Sequence, residues 1–217
     1  MGEDYTGSEP RKRSPWGVLA LIMLTGIALM RNGVDVGLGP PQPAAAASLN
    51  RPDGEVFAPP ASLRTLPYAP VARVKIPSIK VDAPVVDVGL DPEGWIEAPP
   101  GQDPNIAGWY QNGISPGQRG TAVVVGHVDN QSGPAVFYGL GSLTKGQRIE
   151  VARFDGRTAV FEVYGVEVFS KEEFPGARVY GDNGRAELRV ITCGGGYSQS
   201  NGYQGNVVVF ARMVKTA

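Results

Sequence analysis

From residue 70 onward, the sequence is a succession of short runs rich in Val, Ile and Thr, separated by Gly, Pro, Asn and Asp. Apolar and polar residues alternate within several of these runs, which is the period of a β-strand with one buried face. Strands are predicted at residues 71–77, 79–86, 94–97, 121–126, 147–153, 158–168, 187–192 and 206–213. Because little else is available to cover the edges of an open sheet, the pattern predicts an all-β fold, a closed barrel of about eight strands.

Helix signals in this region are few and short. Residues 135–140 are compatible with a single helical turn, and residues 170–174 have the capping pattern of a short helix start. The Asp155-Gly156 pair between two predicted strands indicates a hairpin. We therefore expect one or two short helices beside the barrel, in a folded domain at residues 70–217.

The composition excludes several classes of function. A net charge of −1 leaves no basic face to neutralise phosphates, so no nucleic-acid partner is expected. A single cysteine excludes an intramolecular disulfide and any CxxC metal motif. With a single histidine as well, we expect no metal site, and nothing in the sequence indicates a cofactor.

The only cysteine and the only histidine both follow predicted strands. Cys193 comes directly after strand 187–192 and before the three glycines 194–196, so the strand is predicted to end abruptly at an approachable thiol. His127 follows the β-branched run 121–126. A thiol and an imidazole placed together favour each other's charged forms, which makes the two a candidate nucleophile and proton donor. The alternative is a cysteine packed in the core and a histidine bonded to backbone carbonyls.

An uncharged apolar run lies near the N-terminus, between Arg13 and Arg31. At 1.5 Å per residue, segment 15–31 reaches roughly 25 Å, the lower limit for a transmembrane helix. A cleaved signal peptide would need small residues directly behind the run, and the alanines at 44–47 lie too far on. Three basic residues precede the run and one follows it. We therefore expect an uncleaved single-pass anchor in the cell membrane, with the tail 1–14 cytoplasmic and everything after the anchor extracytoplasmic.

Residues 32–69 are rich in Pro and Ala and lack apolar periodicity. Such a segment cannot bury enough apolar surface to offset the entropy of ordering it. We expect a disordered extracytoplasmic tether that holds the folded domain at a variable distance from the membrane.

Four motifs follow one another within residues 70–217. They are V-K-I-P-S-I-K-V-D-A-P-V from Val74, T-A-V-V-V-G-H ending at His127 with G-P-A-V-F-Y-G-L from Gly133, K-G-Q-R-I-E-V from Lys145, and I-T-C-G-G around Cys193. In this order and spacing they resemble the sortases, and among these most the actinobacterial class F enzymes. Gln147 stands where the family usually has an acid. A membrane anchor followed by a proline-rich tether fits the same family.

The resemblance implies the eight-stranded sortase β-barrel and the activity of an extracytoplasmic cysteine transpeptidase. Sortases cut a C-terminal sorting signal of the LPxTG type between Thr and Gly, hold the acyl group on a thiol, and pass it to an amine of a cell-wall precursor or a pilin subunit. Carried onto this chain, Cys193 is the nucleophile, and His127 is the general acid that protonates the departing amine. Thr192 is expected to contribute to the oxyanion site through its backbone or its hydroxyl. The implied partners are sorting-signal proteins and an amine acceptor, and the enzyme is expected to be a monomer.

Sortases also carry an arginine on the last strand, where it donates hydrogen bonds to the substrate and the oxyanion. Aligning residues 207–211 with that strand puts Asn206 at the arginine position, in a Y-x-x-N sequence that begins at Tyr203. A neutral amide stabilises an oxyanion less than a guanidinium does. We expect Asn206 to be the functional substitute, and Arg212, the nearest arginine in the sequence, is the alternative.

Other residues are candidates for substrate contact. Asp129 is expected to orient the imidazole of His127 or to contact substrate, although an Asp-Asn turn explains it equally well. The resemblance places signal recognition in segment 169–184, which makes Phe174, Val179 and Tyr180 candidate contacts, with core packing as the alternative for each.

Two other functions remain open. One is a cysteine hydrolase of the same fold that releases its product to water. The other is a catalytically silent extracellular barrel that serves as an adhesion or scaffold module. The second is disfavoured because the only cysteine and the only histidine both fall on sortase motif positions.

Overall fold

Eight strands form one closed barrel in the computed structural model of the chain, which describes residues 39–49, 64–200 and 202–217. The strands are β1 (Val71–Ile76), β2 (Val81–Val88), β3 (Ala107–Tyr110), β4 (Gly120–Gly126), β5 (Asp129–Asn130), β6 (Gly133–Pro134), β7 (Arg148–Arg153), β8 (Thr158–Ser170), β9 (Ala186–Ser198) and β10 (Gly202–Thr216). Around the barrel the order is β1-β2-β3-β4-β9-β10-β8-β7, and β5 and β6 form a separate pair. The predicted eight-stranded closed barrel is confirmed.

Helical structure in the described residues is limited to short pieces. The α-helix α1 covers Gly176–Tyr180, and single 3₁₀ turns cover Ala45–Ala47, Pro77–Ile79 and Leu140–Ser142. The helix start predicted at residues 170–174 falls on the end of β8 and a turn, so the helix begins later than expected. The expected anchor 15–31 and tail 1–14 lie outside the described residues. Within the described ranges, no helix has the length and apolar character needed to cross a membrane.

The strands that meet at the centre of the barrel wall are buried on both faces. Val124 of β4 and Val190 of β9 belong to the interior cluster of the barrel. Their neighbours Val125 and Ile191 belong to a second, outer cluster, which includes Val179 of α1. All of β4 is buried for this reason, and its sequence is a continuous apolar run rather than an alternation.

One predicted strand is wrong. Residues 94–97 form no strand, and Ile96 makes only an isolated bridge with Leu90. The eighth barrel strand is β3, whose Ala-Gly-Trp-Tyr sequence contains no β-branched residue. Gly108 is required there by close packing, because a Cβ at this position would lie 2.7 Å from Cγ1 of Val88 on the neighbouring strand.

The predicted end of the cysteine strand is also wrong. β9 continues past Cys193 through the three glycines, and its pairing with β10 extends to Ser198 opposite Gly202. The thiol therefore lies in the middle of a long strand rather than at its tip. The strand that stops near the thiol is β4, whose pairing with β9 ends at Val125 opposite Ile191.

Part of the expected tether packs against the barrel. Ala47 is only 2% exposed and belongs to the main buried cluster. The backbone N–H of Leu49 donates a hydrogen bond to Oε1 of Glu167 on β8, at 3.1 Å. Gly165 leaves the space for this contact, since a Cβ there would collide with the Leu49 side chain. The expectation of a disordered tether therefore does not hold for residues 39–49.

Candidate active site

Cys193 and Asn206 lie on two neighbouring strands, His127 directly follows a third, and these three residues form one row. β4 and β9 run parallel, with Val125 opposite Ile191, and the hydroxyl of Thr192 bonds the carbonyl of Gly126, so His127 and Cys193 each come one residue after that contact. On the other side of β9, the antiparallel register puts Asn206 of β10 directly opposite Cys193. Adjacent strands lie about 4.8 Å apart, so the row brings the three residues together.

Strand alternation puts Cys193 and Asn206 on the outer face of the barrel, and the His127 ring contacts the loop between β2 and β3, whose Ile96 packs on the outer cluster. Ile191 belongs to that cluster, and Cys193, two positions further along the same strand, shares its face. Val208 of β10 belongs to the same cluster, which assigns Asn206 to the outer face as well. Each of the three site residues is partly exposed, so a substrate can reach them.

Thr192 faces the opposite way. Its side chain is buried, and its hydroxyl donates a hydrogen bond to the carbonyl of Gly126 at 2.8 Å. The bond ties β9 to the end of β4 one residue before the row. The hydroxyl is therefore committed to the backbone, and only the main chain of Thr192 remains for the expected oxyanion role.

The imidazole of His127 is oriented by a backbone carbonyl. Its Nε2 lies 2.7 Å from the carbonyl oxygen of Pro99, in the loop between β2 and β3. A carbonyl can only accept a hydrogen bond, so Nε2 must carry the proton in this contact. Nδ1 is then the nitrogen left to exchange a proton with a reacting group. Gly101 of the same loop lies beside the ring, since a Cβ there would be 3.7 Å from Nε2.

The glycines around Cys193 allow close packing of the strands. A Cβ on Gly194 would lie 2.5 Å from Cγ2 of Val207, and one on Gly205 would lie 2.6 Å from the carbonyl oxygen of Phe169. These glycines therefore make room for the neighbouring strands β10 and β8. The thiol itself is free and partly exposed.

Asp129, two residues after His127, has a partner that the sequence did not indicate. The hydroxyl of Tyr203 donates a hydrogen bond to its Oδ2 at 2.5 Å. Burial raises the pKa of Tyr203, and the neighbouring carboxylate raises it further, so the phenol stays protonated and acts as a donor. Tyr203 also contacts Tyr197 edge to face, with ring centroids 5.1 Å apart.

An apolar cleft of about 440 Å³ lies next to the row. Val125, Ile191 and Asn206 line it from the barrel, so it reaches the residue that lies opposite Cys193. Trp95 and Tyr180 line it from the loop before β3 and from α1. The cleft is open to solvent and large enough for several side chains of an extended peptide.

Aromatic side chains build the cleft wall. Phe174 contacts Trp95 edge to face, with ring centroids 6.0 Å apart. It also contacts Tyr180 in a tilted arrangement, with ring centroids 5.7 Å apart. Burial raises the pKa of Tyr180, which therefore remains protonated at neutral pH. Val179 is fully buried beneath the wall and does not line the cleft, so its position matches the core-packing alternative.

Arg212, the arginine nearest to Asn206 in the sequence, and Arg189, the arginine nearest to Cys193, both lie away from the row. Arg212 lies six residues beyond Asn206, about 20 Å along β10, and bonds Glu162 at 3.3 Å. Arg189 lies four residues before Cys193 and is buried. Its guanidinium bonds Glu187 at 2.6 Å, which holds the group away from the thiol.

Three groups at the site were not predicted from the sequence: the carbonyl of Pro99, the ring of Trp95 and the hydroxyl of Tyr203. A carbonyl contact leaves no signal in the sequence. Trp95 is half-exposed, which is unusual for so large an apolar side chain, but exposure is visible only in the structure. Among the described residues, no group of three or more His, Cys, Asp or Glu side chains is arranged to hold a metal ion.

The fold and the site together define a class of protein: a closed all-β barrel that carries a cysteine–histidine pair beside an open cleft. A family model described as the sortase domain matches residues 74–214. The chain therefore belongs to the sortase family, whose members are cysteine transpeptidases. No curated protein matches the sequence.

Solved sortases share the fold. Sortase C-1 from Actinomyces oris is 25% identical, with a TM-score of 0.52, over 67% of this chain and 75% of that one. The SrtA sortase from Actinomyces oris is 18% identical, with a TM-score of 0.52, over 75% of this chain and 89% of that one. Sortase A from Listeria monocytogenes is 17% identical, with a TM-score of 0.51, over 69% of this chain and 90% of that one. At 17% and 18% identity the likeness shows the fold alone.

Proposed function

We propose that this sortase is a class F-like, membrane-anchored transpeptidase that cleaves an LPxTG-type sorting signal between Thr and Gly. The acyl group is held on Cys193 and then transferred to an amine of a cell-wall precursor or a pilin subunit. The observation that carries the proposal is the row of Cys193, His127 and Asn206 on the outer barrel face, next to an apolar cleft.

Acylation begins with the Cys193 thiolate beside the His127 imidazolium. The sulfur attacks the carbonyl carbon of the substrate threonine, and negative charge develops on its oxygen. The Asn206 carboxamide donates a hydrogen bond to that oxygen. As the C–N bond breaks, the Nδ1 proton of His127 passes to the departing glycine amine. The products of this step are a thioester on Cys193 and a neutral imidazole still bonded to Pro99 through Nε2.

Transfer reverses these movements with a new amine. The incoming nitrogen attacks the thioester carbonyl and gives up a proton to Nδ1 of His127. The C–S bond then breaks, which forms the new amide and regenerates the thiolate–imidazolium pair. His127 gives one proton to the departing amine during acylation and takes one proton from the incoming amine during transfer. The cycle therefore needs no further acid or base.

The cleft supports a peptide substrate with apolar side chains. Trp95, Phe174 and Tyr180 provide an aromatic wall, and Val125 and Ile191 provide an apolar floor that leads to the row. Lys171 and Glu172 also line the cleft. Anchoring through segment 15–31, which would place the barrel outside the cytoplasm, is supported by the apolar sequence between the basic flanks.

The test is incubation of the full-length protein with an LPxTG-containing peptide, with and without a primary amine. We expect mass spectrometry to show an acyl adduct on Cys193 and an amine-dependent ligated product. Cys193→Ala, which removes only the sulfur nucleophile, is the matched control and should give neither.

Three other results would redirect the proposal. Cleavage that the amine leaves unchanged would support the hydrolase. Neither adduct nor cleavage, with a thiol that resists alkylation, would support the silent module. Processing of a peptide with another signal sequence, but not of the LPxTG peptide, would leave the transpeptidase and overturn the substrate assignment.

A further inference from the structure

His127 and Cys193 lie on two segments of the chain, and the strands of these segments stop pairing with each other just before the two residues. The last pair between β4 and β9 is Val125 with Ile191, two positions before His127 and Cys193. β9 then continues with β10 as a hairpin, while the chain after β4 leaves this ladder and continues into the separate pair of β5 and β6. The pairing of β9 with β10 therefore holds Cys193 opposite Asn206, whereas the pairing of β4 with β9 does not extend to His127.

A side-chain hydrogen bond crosses this gap. The Tyr203 hydroxyl donates to Oδ2 of Asp129 over a separation of 74 residues. Asp129 is two residues after His127, and Tyr203 is three residues before Asn206. Tyr203 is in turn paired with Tyr197, four residues after Cys193. The bond thus joins the histidine segment to the hairpin that carries the thiol.

We propose that Tyr203 and Asp129 form a latch that positions His127 against Cys193. The inference rests on the proposed function, in which an imidazole held beside the sulfur stabilises the thiolate and passes its Nδ1 proton to the departing amine. The Pro99 carbonyl holds the far nitrogen of the ring, and the Thr192 hydroxyl holds Gly126 just before it. The latch supplies the remaining restraint, on the chain that leaves His127.

The two residues are positioning residues rather than catalytic ones. The hydroxyl of Tyr203 is already committed to Asp129, and burial raises its pKa, so it does not act as a base at neutral pH. Asp129 is engaged by the phenol, whereas the imidazole nitrogen Nε2 is engaged by Pro99. Neither group therefore needs to touch the reacting atoms to affect the rate.

The kinetic test compares Tyr203→Phe, Asp129→Ala and Asp129→Asn in the full-length protein. Tyr203→Phe keeps the ring and its contact with Tyr197 and removes only the hydroxyl. We expect kcat to fall about tenfold in Tyr203→Phe and in Asp129→Ala, the effect of losing one charge-assisted hydrogen bond. KM for the sorting peptide should change less than about twofold, because the aromatic wall of the cleft is untouched. Asp129→Asn should recover most of the lost rate, since an amide oxygen also accepts from a phenol.

A tyrosine away from the site provides the matched control. Tyr68→Phe removes a hydroxyl from an exposed ring beside Trp109 and should leave both constants unchanged. The latch is wrong if Tyr203→Phe keeps kcat within about twofold of the parent. It is also wrong if Asp129→Asn is as slow as Asp129→Ala, which would mean that charge and not the hydrogen bond matters. If Tyr203→Phe lowered the melting temperature and left kcat unchanged, Tyr203 and Asp129 would have only a structural role.

A substrate-free measurement separates failure of the latch from failure of the proposed function. The rate of Cys193 alkylation by iodoacetamide at neutral pH reports the thiolate that a neighbouring imidazolium stabilises. We expect Tyr203→Phe to slow alkylation by about fivefold and His127→Ala to slow it further. If the parent makes no peptide product, this difference still tests the latch. If the parent makes product and alkylation is the same in Tyr203→Phe, the latch fails alone.

Discussion

Asn206 lies opposite Cys193 on the neighbouring strand, which makes its carboxamide the polar side chain next to the thiol on that side. The carboxamide is a neutral donor, so it stabilises a developing oxyanion less than a guanidinium would. The same residue lines the cleft, so a substrate bound there lies within reach of its carboxamide. Among the side chains of the row, the proposed chemistry therefore depends on one neutral donor held opposite the thiol.

This assignment predicts a graded loss of activity. Asn206→Ala should lower kcat by about a hundredfold, the usual effect of removing one oxyanion donor. Asn206→Asp has the same size but accepts hydrogen bonds only, and its charge opposes both the thiolate and the oxyanion, so the loss should be larger. The measurement is the rate of acyl-adduct formation on Cys193 in single-turnover experiments.

Arg212 tests the alternative in the same assay. It lies about 20 Å along β10 and is bonded to Glu162, so Arg212→Ala should lower the rate by no more than about twofold. A larger loss in Arg212→Ala than in Asn206→Ala would contradict the assignment.

Candidate site residues could be identified from the sequence where their chemistry is unusual. Cys193 and His127 stand out because each occurs once and each follows a β-branched run. Their surroundings could not be predicted in the same way, because the contacts join distant parts of the chain. The Pro99 carbonyl reaches His127 only because the loop between β2 and β3 folds back over the barrel.

At the scale of elements, strands could be predicted where one face is buried and the other is not. β1 and β7 have this alternation, and their predicted ranges agree closely with the observed ones. β3 was missed because close packing against β2 demands a glycine at its centre, which removes the β-branched signal. The cysteine strand was predicted too short, because glycines that normally end a strand here serve close packing with β10.

The hairpin between β7 and β8 shows how one side chain joins distant segments of the chain. Arg153 is buried and donates to the carbonyl of Pro67 at 2.6 Å and to Oγ of Ser115 at 3.1 Å. It also donates to both carboxylate oxygens of Asp155, at 3.2 and 3.0 Å. This interaction lowers the pKa of Asp155 below the ordinary 3.8, chiefly through the hydrogen bond from Arg153, while burial acts in the opposite direction.

This shift predicts a pH-dependent contribution to stability. A carboxyl whose pKa is lower in the folded state stabilises the fold above its unfolded pKa, and the contribution is lost as pH falls through the folded pKa. Asp155→Asn should therefore destabilise the domain at pH 6, and the difference from the parent should shrink as pH falls below about 4. Urea unfolding at pH 6, 4 and 2.5 measures this difference. A difference that stays constant over the series would show that Asp155 acts through its geometry and not through its charge.

At the scale of the whole molecule, the folded domain begins earlier than the sequence pattern indicates. Residues 39–49 are rich in Pro and Ala, which favours a tether, yet they belong to the same compact unit as the barrel. Their docking depends on two glycines of the barrel domain, which have no side chain. Gly165 leaves room for Leu49, and Gly141 leaves room for the backbone of Pro41. The fit between residues 39–49 and these glycines leaves no periodic pattern in the sequence, so it could not be predicted from the segment alone.

The docked segment also connects to the cleft wall. Glu167 of β8 accepts the Leu49 N–H at 3.1 Å and the guanidinium of Arg178 at 2.9 Å on the same carboxylate oxygen. Arg178 lies in α1, whose last residue, Tyr180, lines the cleft. One carboxylate therefore holds the N-terminal segment and the helix of the cleft wall to the same strand.

Two substitutions within one 3₁₀ turn test whether residues 39–49 are part of the fold. Ala47 is buried in the main cluster, whereas Ala45, two residues earlier, is exposed. Ala47→Asp would bury an unpaired carboxylate, which costs more than the segment gains by docking, so the segment should detach instead. The loss of unfolding free energy is then limited to the docking contacts, about 1–3 kcal/mol, while Ala45→Asp should stay within about 0.5 kcal/mol of the parent. Urea unfolding of both variants measures the two values, and equal stabilities would show that the segment contributes nothing to the folded domain.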